Sequence, residues 1–486
     1  MRKFATLKTE DKLLMYKEYK QLNLPEIGKE ILERWERENI FEKSISNRPA
    51  SKPYTFYEGP PSANGMPGIH HAMARSIKDI FCRYKTLKGY QVKRKGGWDT
   101  HGLPIELAVE KTLGITKEDI GKKISVEEYN AACRKEVMKY TDVWNDLTIK
   151  MGYWVDLENP YITYENEYIE TLWYLLKELY KKGLLYKGYT IQPYSPAAGT
   201  GLSSHELNQP GTYKDVKDTT IVAEFRLIKD QIHPAMEKLV EDAVEDVAFI
   251  AWTTTPWTLP SNTALVVGKK ISYVKIKTFN QYTGSPVSVI LAKDLIAKHF
   301  KAEGKDASFQ DYKLGDKIIP WEIAAEFTGE ELVGLRYEQL LPYITSEELQ
   351  EKAFRVIPGD FVTTEDGTGI VHAAPTYGAD DFRVARENDV PGILVKDENG
   401  KEVPTVDRTG RFVKEITDFA GRFVKEEYYS DAVRADKDFR PTDVLIAIKL
   451  KEDNKAFDVK KYEHTYPHCW RTDKPVLYYP LDSWFI

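Results

Sequence analysis

Cysteine is scarce in this sequence, and that scarcity limits the folds it can adopt. Only three cysteines occur in 486 residues, Cys82, Cys133 and Cys469, and they are widely separated and odd in number. No disulfide framework follows from that arrangement. A disulfide-stabilised secreted fold is therefore excluded, and a reducing cytosol fits the sequence best, so we predict a cytoplasmic protein.

Long apolar runs are also missing. No stretch reaches the roughly 18 apolar residues of a membrane span, and the amino terminus lacks the apolar core of a signal peptide. We therefore predict no membrane partner. A strong overall charge is absent too, since the net charge is −6. Nucleic-acid binding would need a local basic patch, and one candidate surrounds Lys93–Lys95 with Arg75 and Arg83. The alternative for such a cluster is a solvated helix face.

What the sequence does contain is enough apolar material for large cores and about three domains. Apolar residues make up 42% and aromatic residues 12%. Tyr54–Tyr57 predicts a strand, apolar residues at helical spacing from Ile69 to Leu87 predict a helix, and Gly89 and Tyr90 indicate its end and a second strand. This βαβ order predicts a parallel sheet. Helices are also predicted over about 125–150, with Ser125 and Glu128 as a capping box, and over about 166–182.

After about residue 215 the pattern changes to short β-rich runs broken by Pro, Gly and Asn. Strands are predicted at 219–225, 248–255 and 264–267, and the stretch from His464 is typical of a loop leading into a strand. The predicted fold class is α/β: the first half of a Rossmann-like parallel-sheet domain, interrupted by a β-rich α+β domain. We predict four segments: a helical extension over 1–50, the parallel-sheet half with a connecting segment over 51–214, the inserted domain over 215–440, and a return connection over 441–486.

The segment after the first strand predicts a phosphate site. Asn64-Gly65 indicates a tight turn, and a helix begins near Pro67 or Gly68, so its first backbone N–H groups face outward at the strand ends. Such a helix start binds phosphate, and ligands of open α/β sheets bind there. A histidine pair at this point, His70 and His71, can donate hydrogen bonds to phosphate oxygens. A purely structural histidine pair is the alternative.

Two further blocks indicate a polar cleft in the inserted domain. Three consecutive threonines, Thr253, Thr254 and Thr255, precede a proline, and they cannot all face one side of a strand. The alternative is an ordinary exposed strand. The second block has a short apolar strand that ends at His372, followed by a loop to Asp380-Asp381. Its alternative is a hairpin with a helix N-cap.

Taken together, these residues are similar to motifs of the class I aminoacyl-tRNA synthetases. Tyr57–His71 resembles the family's ATP-binding motif, Gly96–Glu106 resembles a second block, and the two are closest to the isoleucine-specific members. The resemblance implies an ATP motif of Asn64, Pro67, Gly68, Ile69, His70 and His71. It implies that the aminoacyl-adenylate is bordered by Glu58, Gly59, Pro60, Asp99 and Trp484. Asp99 would hold the α-ammonium group, and Trp484 would form an aromatic wall of the side-chain pocket.

This chain departs from the family's ATP motif at one place. The family has His-Ile-Gly-His where this sequence has Gly68-Ile69-His70-His71. His71 keeps the second histidine, whereas His70 stands where the family has a glycine that lets the backbone approach adenine. We therefore expect a local rearrangement around His70.

The threonine and aspartate blocks resemble the editing domain that hydrolyses misacylated tRNA in the isoleucine, valine and leucine members. The resemblance implies that Asp381 captures the α-ammonium group, that His372 shapes the side-chain sieve, and that Thr253–Thr255 with Asn262 line the substrate and water site. No activated Ser or Cys nucleophile is visible, so water attack is the expected mechanism.

Paired cysteines that bind zinc in relatives of the family are mostly replaced here. The corresponding positions hold Ser195, Ala198, Cys469 and Thr472, and one soft ligand cannot form a four-coordinate zinc site. His464 and His468 beside Cys469 are the alternative metal ligands, without a fourth. We predict no metal site and no bound zinc.

The resemblance implies an isoleucine–tRNA ligase that uses ATP with Mg²⁺, has isoleucine and tRNA(Ile) as partners, and edits valyl-tRNA(Ile). We expect a monomer. The family's remaining catalytic half and its anticodon-binding domain do not occur within the 486 residues, so we expect editing to be the autonomous activity. Two alternatives remain: a stand-alone trans-editing deacylase and a non-catalytic tRNA-binding module.

Overall fold

The computed structural model of the chain describes residues 20–240 and 246–486 and divides it into two compact units, Met1–Leu185 and Tyr186–Ile486. The predicted helical extension over 1–50 falls partly before residue 20, and that part lies outside the described residues. The predicted α/β class, a parallel-sheet portion with a β-rich α+β portion, is confirmed.

The first unit is built on a small parallel sheet. Its strands are β1 (Pro53–Tyr57), β2 (Gln91–Trp98) and β3 (Asp156–Ile162), in that order and all parallel. Its helices are α1 (Leu24–Arg37), α2 (Ile40–Ser46), α3 (Ile69–Leu87), α4 (Leu103–Leu113), α5 (Val126–Val137), α6 (Thr141–Lys150) and α7 (Asn166–Lys181).

The predicted βαβ unit is present as β1–α3–β2. Gly89, with φ of +80°, follows the C-cap of α3, a conformation that glycine adopts without steric cost. The predicted helix over 125–150 was wrong as one element, because α5 and α6 are separated at residues 138–140. The Tyr140 amide donates to the Ala63 carbonyl at 2.9 Å, so a tertiary hydrogen bond replaces a helical one there.

The proposed basic patch on this unit is divided between surface and interior, because Lys93 and Lys95 are exposed whereas two arginines are buried. Arg75 and Arg94 are only 6% and 2% exposed. Arg75 donates to the Thr148 hydroxyl at 2.6 Å, and Arg94 pairs with Asp79 at 3.4 Å. These guanidinium groups therefore hold the interior of the unit together, as buried arginines with partners do.

The second unit contains a six-stranded sheet with smaller sheets beside it. Its strands are β4 (Tyr186–Ser195), β5 (Thr200–Gly201), β6 (Tyr213–Arg226), β7 (Asp246–Thr253), β8 (Ala264–Val267), β9 (Ser272–Phe279), β10 (Pro286–Ala292), β11 (Glu322–Thr328), β12 (Arg355–Pro358), β13 (Ile370–Ala373), β14 (Leu394–Lys396), β15 (Glu402–Pro404), β16 (Ala456–Pro467) and β17 (Leu477–Phe485). The strand order in the six-stranded sheet is β11-β9-β10-β7-β6-β16, and the smaller sheets are β12-β8-β13, β14-β15 and β17-β4-β5. Among these described strands, only β10 with β7 and β12 with β8 pair in parallel.

Short helices pack around these sheets. They are α8 (Ser204–Leu207), α9 (Met236–Val240), α10 (Ile296–His299), α11 (Gly329–Leu332), α12 (Glu347–Lys352), α13 (Ala379–Glu387), α14 (Asp431–Arg434) and α15 (Thr442–Glu452). A continuous cluster of buried apolar side chains joins β6, β7, β8 and β13. His464, predicted to lie in a loop, is within β16, whose pairing with β6 extends to Pro467.

The second unit begins and ends as paired strands. β17 pairs antiparallel with β4 from Leu477–Tyr194 to Phe485–Tyr186, and β16 pairs antiparallel with β6. The segment 186–195, which we had grouped with the parallel-sheet half, thus lies in the second unit together with the return segment. The predicted division into four segments otherwise stays a prediction.

Candidate active site

A cleft of about 430 Å³ opens in the second unit where β7 ends. The chain leaves β7 at Thr253 and enters a 3-10 turn, Pro256–Ser261, and all three consecutive threonines line the cleft. The Thr255 amide donates to the Thr253 hydroxyl at 3.0 Å, which holds the bend. The three threonines that the sequence concentrates before a proline therefore line one cavity, and their role there stays a prediction.

His372 reaches the same cleft from β13 and is locked in one tautomer. Its Nδ1 accepts from the Asn262 amide at 3.0 Å, so its Nε2 carries the proton and donates to the Thr258 hydroxyl at 2.9 Å. Asn262 has this orientation because its Oδ1 accepts from the Tyr337 hydroxyl at 2.7 Å and its amide also donates to the Ala264 carbonyl. Burial lowers the pKa of His372 to about 4. His372 is thus a neutral hydrogen-bonding group at neutral pH.

Asp381 lies in the first turn of α13 and lines the cleft, whereas Asp380 is exposed and lies 3.6 Å from Arg383. Burial raises the pKa of Asp381 to about 6, the Asp380 charge adds to that shift, and the Ala374 amide, donating at 2.8 Å, opposes it. A Cβ at Gly378 would lie 2.5 Å from the Asp381 carboxylate, so glycine is required there by close approach.

The structure changes the place of one predicted cleft residue and adds others. Asn262 does not line the cleft; it is 2% exposed and acts on the cleft through His372. Thr258, Tyr377 and Thr368 line the cleft and were not predicted. Thr258 stands three residues after Thr255, the spacing of one 3-10 turn, and that periodicity could have identified it. Tyr377 carries no comparable sequence signal.

A second group of predicted residues lies at one edge of the parallel sheet in the first unit. Residues after β1 and after β2 meet there, as the carboxyl ends of parallel strands must. The Asp99 amide donates to the Pro61 carbonyl at 3.0 Å, which joins the two sequence blocks. Asp99, Gly59 and Ile69 are exposed, and Pro60 is half-buried, so this edge is open.

The Glu58 side chain does not face that open edge, and its predicted substrate-binding role stays a prediction. It is 3% exposed, and its carboxylate accepts from Lys78 Nζ at 2.6 Å and from the Tyr153 hydroxyl. The Tyr161 hydroxyl donates to the Glu58 carbonyl. A buried carboxylate needs such partners, and these leave it committed to the interior.

The predicted ATP motif begins α3 and is fixed by internal hydrogen bonds. His71 Nδ1 accepts from the Gly68 amide at 2.9 Å, its ring packs edge-on against Trp144 at 4.7 Å, and its pKa is lowered by burial, with the charges of His70 and Arg75 adding to the shift. Trp144 also donates to the Gly65 carbonyl at 2.8 Å, which fixes the turn.

The other members of the motif surround this helix start. The His70 ring is exposed and lies 3.8 Å from the His71 ring, and α3 begins regularly at Ile69 despite the departure at His70. Asn64 accepts from the Ser62 hydroxyl at 2.9 Å, and Pro67 precedes the N-cap. Trp484, in the second unit, is 59% exposed on β17 opposite Lys187.

The four positions that replace the family's zinc ligands converge in space. Cys469 is buried; burial alone would raise its pKa, but hydrogen bonds from Thr472, from backbone amides and from Ser195 lower it overall. The Ala198 amide donates to the Ser195 hydroxyl at 3.2 Å. Over residues 20–240 and 246–486, no group of three or more His, Cys, Asp or Glu side chains is arranged to hold a metal ion. In the same ranges no helix is long and apolar enough to cross a bilayer.

Comparison with known proteins shows similarity over nearly the whole chain. The family described as tRNA synthetases class I (I, L, M and V) matches residues 30–485. The isoleucine–tRNA ligase of Cytophaga hutchinsonii is 62% identical over 96% of this chain and 42% of its own length. That of Bacteroides thetaiotaomicron is 57% identical over 97% of this chain and 43% of its own length. This chain therefore spans less than half the length of these relatives. A solved structure, GlLeuRS-CP1, covers 49% of this chain and 96% of its own, with 16% identity and a TM-score of 0.31.

Proposed function

Because this chain belongs to the class I tRNA synthetases of the I, L, M and V group, we propose that it is part of an isoleucine–tRNA ligase and that it contains the editing hydrolase of that enzyme. The whole activity would join isoleucine to tRNA(Ile) with ATP and Mg²⁺ as the substrate complex. The observation that carries the editing proposal is the meeting of Thr253–Thr255, His372 and Asp381 in one cleft.

The need for a second site follows from the weakness of apolar discrimination. One methylene is worth about 1–3 kcal/mol in a pocket, and isoleucine against valine is itself the standard example of that limit. A pocket that admits isoleucine therefore admits valine at a rate that needs correction. A hydrolytic cleft that accepts the smaller product supplies that correction.

The chemistry proposed for the cleft is attack by water on the aminoacyl ester. The water oxygen forms a bond to the ester carbonyl carbon, the bond from that carbon to the ribose oxygen breaks, and the departing ribose oxygen takes up the proton that the attacking water loses. The Asp381 carboxylate would bind the α-ammonium group. Threonine hydroxyls and backbone amides would stabilise the developing oxyanion.

His372 has a limited part in this mechanism. Its Nδ1 already accepts a hydrogen bond and its pKa is far below neutrality, so it is not set up as a general base at neutral pH. We propose that the neutral ring fixes the width of the cleft beside Thr258. A bulkier side chain would then be excluded by shape.

The activation site is proposed at the exposed edge formed by Gly59, Pro60 and Asp99 in the first unit. The first turn of α3 would contact the phosphates of ATP through the backbone N–H groups of Ile69 and His70, because the Gly68 and His71 amides already donate to His71 Nδ1 and to the Gly68 carbonyl. Because His71 Nδ1 already accepts from the Gly68 amide, the His71 ring would have a positioning role and would not transfer a proton through that atom.

The test is the release of amino acid from two charged tRNAs by the 486-residue chain. Valyl-tRNA(Ile) is expected to be hydrolysed at least about tenfold faster than isoleucyl-tRNA(Ile), as one methylene allows. Equal rates would contradict the sieve. tRNA binding without any hydrolysis would favour the non-catalytic tRNA-binding module instead.

We further propose that the 486-residue chain by itself performs only the hydrolysis, because every residue that lines the cleft belongs to the second unit. Isoleucine-dependent ATP–pyrophosphate exchange measures the other half-reaction. Exchange by the 486-residue chain would contradict the proposal. A stand-alone trans-editing deacylase is the second candidate, and it would give the same hydrolysis without requiring the Asp99 edge to bind isoleucine or ATP.

A further inference from the structure

A cluster of buried and half-buried charged side chains contacts the 3-10 turn Pro256–Ser261 without lining the cleft. Its members, here called the charge cluster, are Asp218, Lys425 and Asp443. Lys425 is 4% exposed and Asp443 is 8% exposed. They come from three distant parts of the chain and belong to none of the motifs described above. Buried charges are costly to desolvate, so a cluster of them calls for a structural or functional reason.

The charge cluster is closely connected. Lys425 Nζ donates to Asp218 Oδ2 at 2.8 Å and lies 4.2 Å from the centroid of the Tyr466 ring. His464 Nε2 lies 3.3 Å from the same Asp218 oxygen. Asp443, in the first turn of α15, is near enough for its charge to act on Lys425. One lysine thus compensates two carboxylates from the sheet and from the helix.

One hydrogen bond leads from the charge cluster to the turn. Asp443 Oδ1 accepts from the backbone amide of Trp257 at 3.0 Å, and Trp257 is 2% exposed. That amide belongs to the peptide unit between Thr255 and Thr258, two residues that line the cleft. Without Asp443 it would be a buried N–H without a partner, which costs about 1–3 kcal/mol.

The position of this amide matters because the neighbouring hydrogen bonds depend on it. The Thr258 amide and hydroxyl both donate to the Thr255 carbonyl, at 3.0 and 2.8 Å, and the Thr258 hydroxyl also meets His372. The Trp257 ring packs edge-on against Tyr377, which lines the cleft, at 5.0 Å. A shift of the Trp257 peptide would therefore move Thr258 and the ring support behind Tyr377 together.

We propose that Asp443, through its hydrogen bond to the Trp257 amide, is a positioning residue for ester hydrolysis. It fixes the Trp257 peptide unit, so that Thr255 and Thr258 present their hydroxyls to the cleft. Asp443 contacts no substrate. The expected loss of hydrolysis rests on the proposed editing function, whereas the expected change in hydrogen exchange rests on the geometry alone.

The test compares three variants of the 486-residue chain in hydrolysis of valyl-tRNA(Ile). Asp443→Ala removes the acceptor, and kcat is expected to fall at least about tenfold with KM changed less than about threefold, since small misplacements of reacting groups reduce rate strongly. Asp443→Asn keeps an acceptor oxygen and is expected to retain kcat within about threefold. Thr442→Val is the matched control, because Thr442 stands next in sequence and loses only its bond to the Phe423 carbonyl, at 2.6 Å.

Hydrogen exchange of the peptide 251–262 provides the second readout, which needs no activity. Exchange there is expected to rise in Asp443→Ala and to stay unchanged in Asp443→Asn and Thr442→Val. If Asp443→Ala does not fold, Asp443→Ser, whose hydroxyl is too short to span the distance to the Trp257 amide, is measured with the same expectation. Hydrolysis absent from the unsubstituted chain, with exchange as expected, would refute only the proposed function. Unchanged kcat or unchanged exchange in Asp443→Ala, or an equal loss in Thr442→Val, would overturn the positioning role.

Discussion

Removing the charge of Asp381 gives the sharpest test of the proposed cleft. Asp381→Asn keeps the shape of the side chain and an oxygen that can accept from the Ala374 amide, so the fold of α13 should be preserved. It removes the negative charge that would bind the α-ammonium group. A hydrogen bond between charged groups contributes about 1.5–3 kcal/mol, so kcat/KM for valyl-tRNA(Ile) is expected to fall about 10- to 150-fold.

The pH dependence of kcat/KM gives the same test a second form. The pKa of Asp381 is about 6, so the carboxylate is lost as the pH falls below that value. The substrate's α-ammonium group loses its proton at about pH 8, the usual range for an α-amine. Activity should therefore be highest between about pH 6 and 8, with both groups charged, and the acid limb should be missing in Asp381→Asn.

Two controls isolate the charge pair. Asp380→Asn changes the adjacent exposed carboxylate, which lies beside Arg383, and is expected to leave kcat/KM within about twofold, as surface pairs contribute little. N-acetylvalyl-tRNA(Ile) has no ammonium group, so Asp381→Asn should hydrolyse it as fast as the unsubstituted chain does. The reasoning fails if Asp381→Asn retains full activity, or if it loses as much on the acetylated substrate as on the free one.

Two further predictions concern stability. The pKa of His372 is near 4 in the folded chain and near 6.5 in the unfolded chain, so the unfolded chain binds the proton first as the pH falls. The neutral His372 ring therefore contributes fully to the free energy of unfolding above pH 6.5, and up to about 3 kcal/mol of that contribution is lost between pH 6.5 and 4. In urea unfolding, the stability advantage of the unsubstituted chain over His372→Gln should therefore shrink across that range, whereas a difference that does not change with pH would contradict the assignment. Gly369 has φ of +73° and an added Cβ would lie 2.3 Å from the Ala292 Cβ, whereas Gly400, at φ +76°, has nothing within 4 Å. Gly369→Ala should therefore cost more than about 3 kcal/mol in urea unfolding and Gly400→Ala about 1 kcal/mol, and equal costs would refute the close contact.

Local rules predicted the parts of the fold that depend on neighbouring residues. The helix from Ile69 to Leu87 follows from apolar spacing and from a glycine at its end, and the Ser125–Glu128 capping box is present as a reciprocal pair of hydrogen bonds. The same rules failed at residues 138–140, where the Tyr140 amide bonds to Ala63, 77 positions earlier. No local pattern carries such a tertiary bond.

The site shows the same division between local and distant information. The threonine run and the Asp380–Asp381 pair were visible because each block concentrates unusual residues within a few positions. Asp443 was not, because the carboxylate and the amide it binds are 186 positions apart in sequence and it stands in a stretch without a motif. The burial of Glu58 could not be predicted either, because a residue at the end of a strand faces inward or outward according to partners, Lys78 and Tyr153, that only the fold supplies.

The antiparallel pairing of β4 with β17 has a consequence for how such a chain can change over generations. Because Ser195 and Leu477 stand at the same end of this ribbon, the nearly three hundred residues between them leave and return at neighbouring points. A segment inserted between two such neighbouring points lengthens a loop and leaves the flanking strands in place. Domain insertion and circular permutation are tolerated best at sites with this geometry. The whole segment that carries the proposed cleft could thus be acquired, exchanged or lost by recombination at two adjacent sites, with later substitutions needed only where it joins β4 and β17.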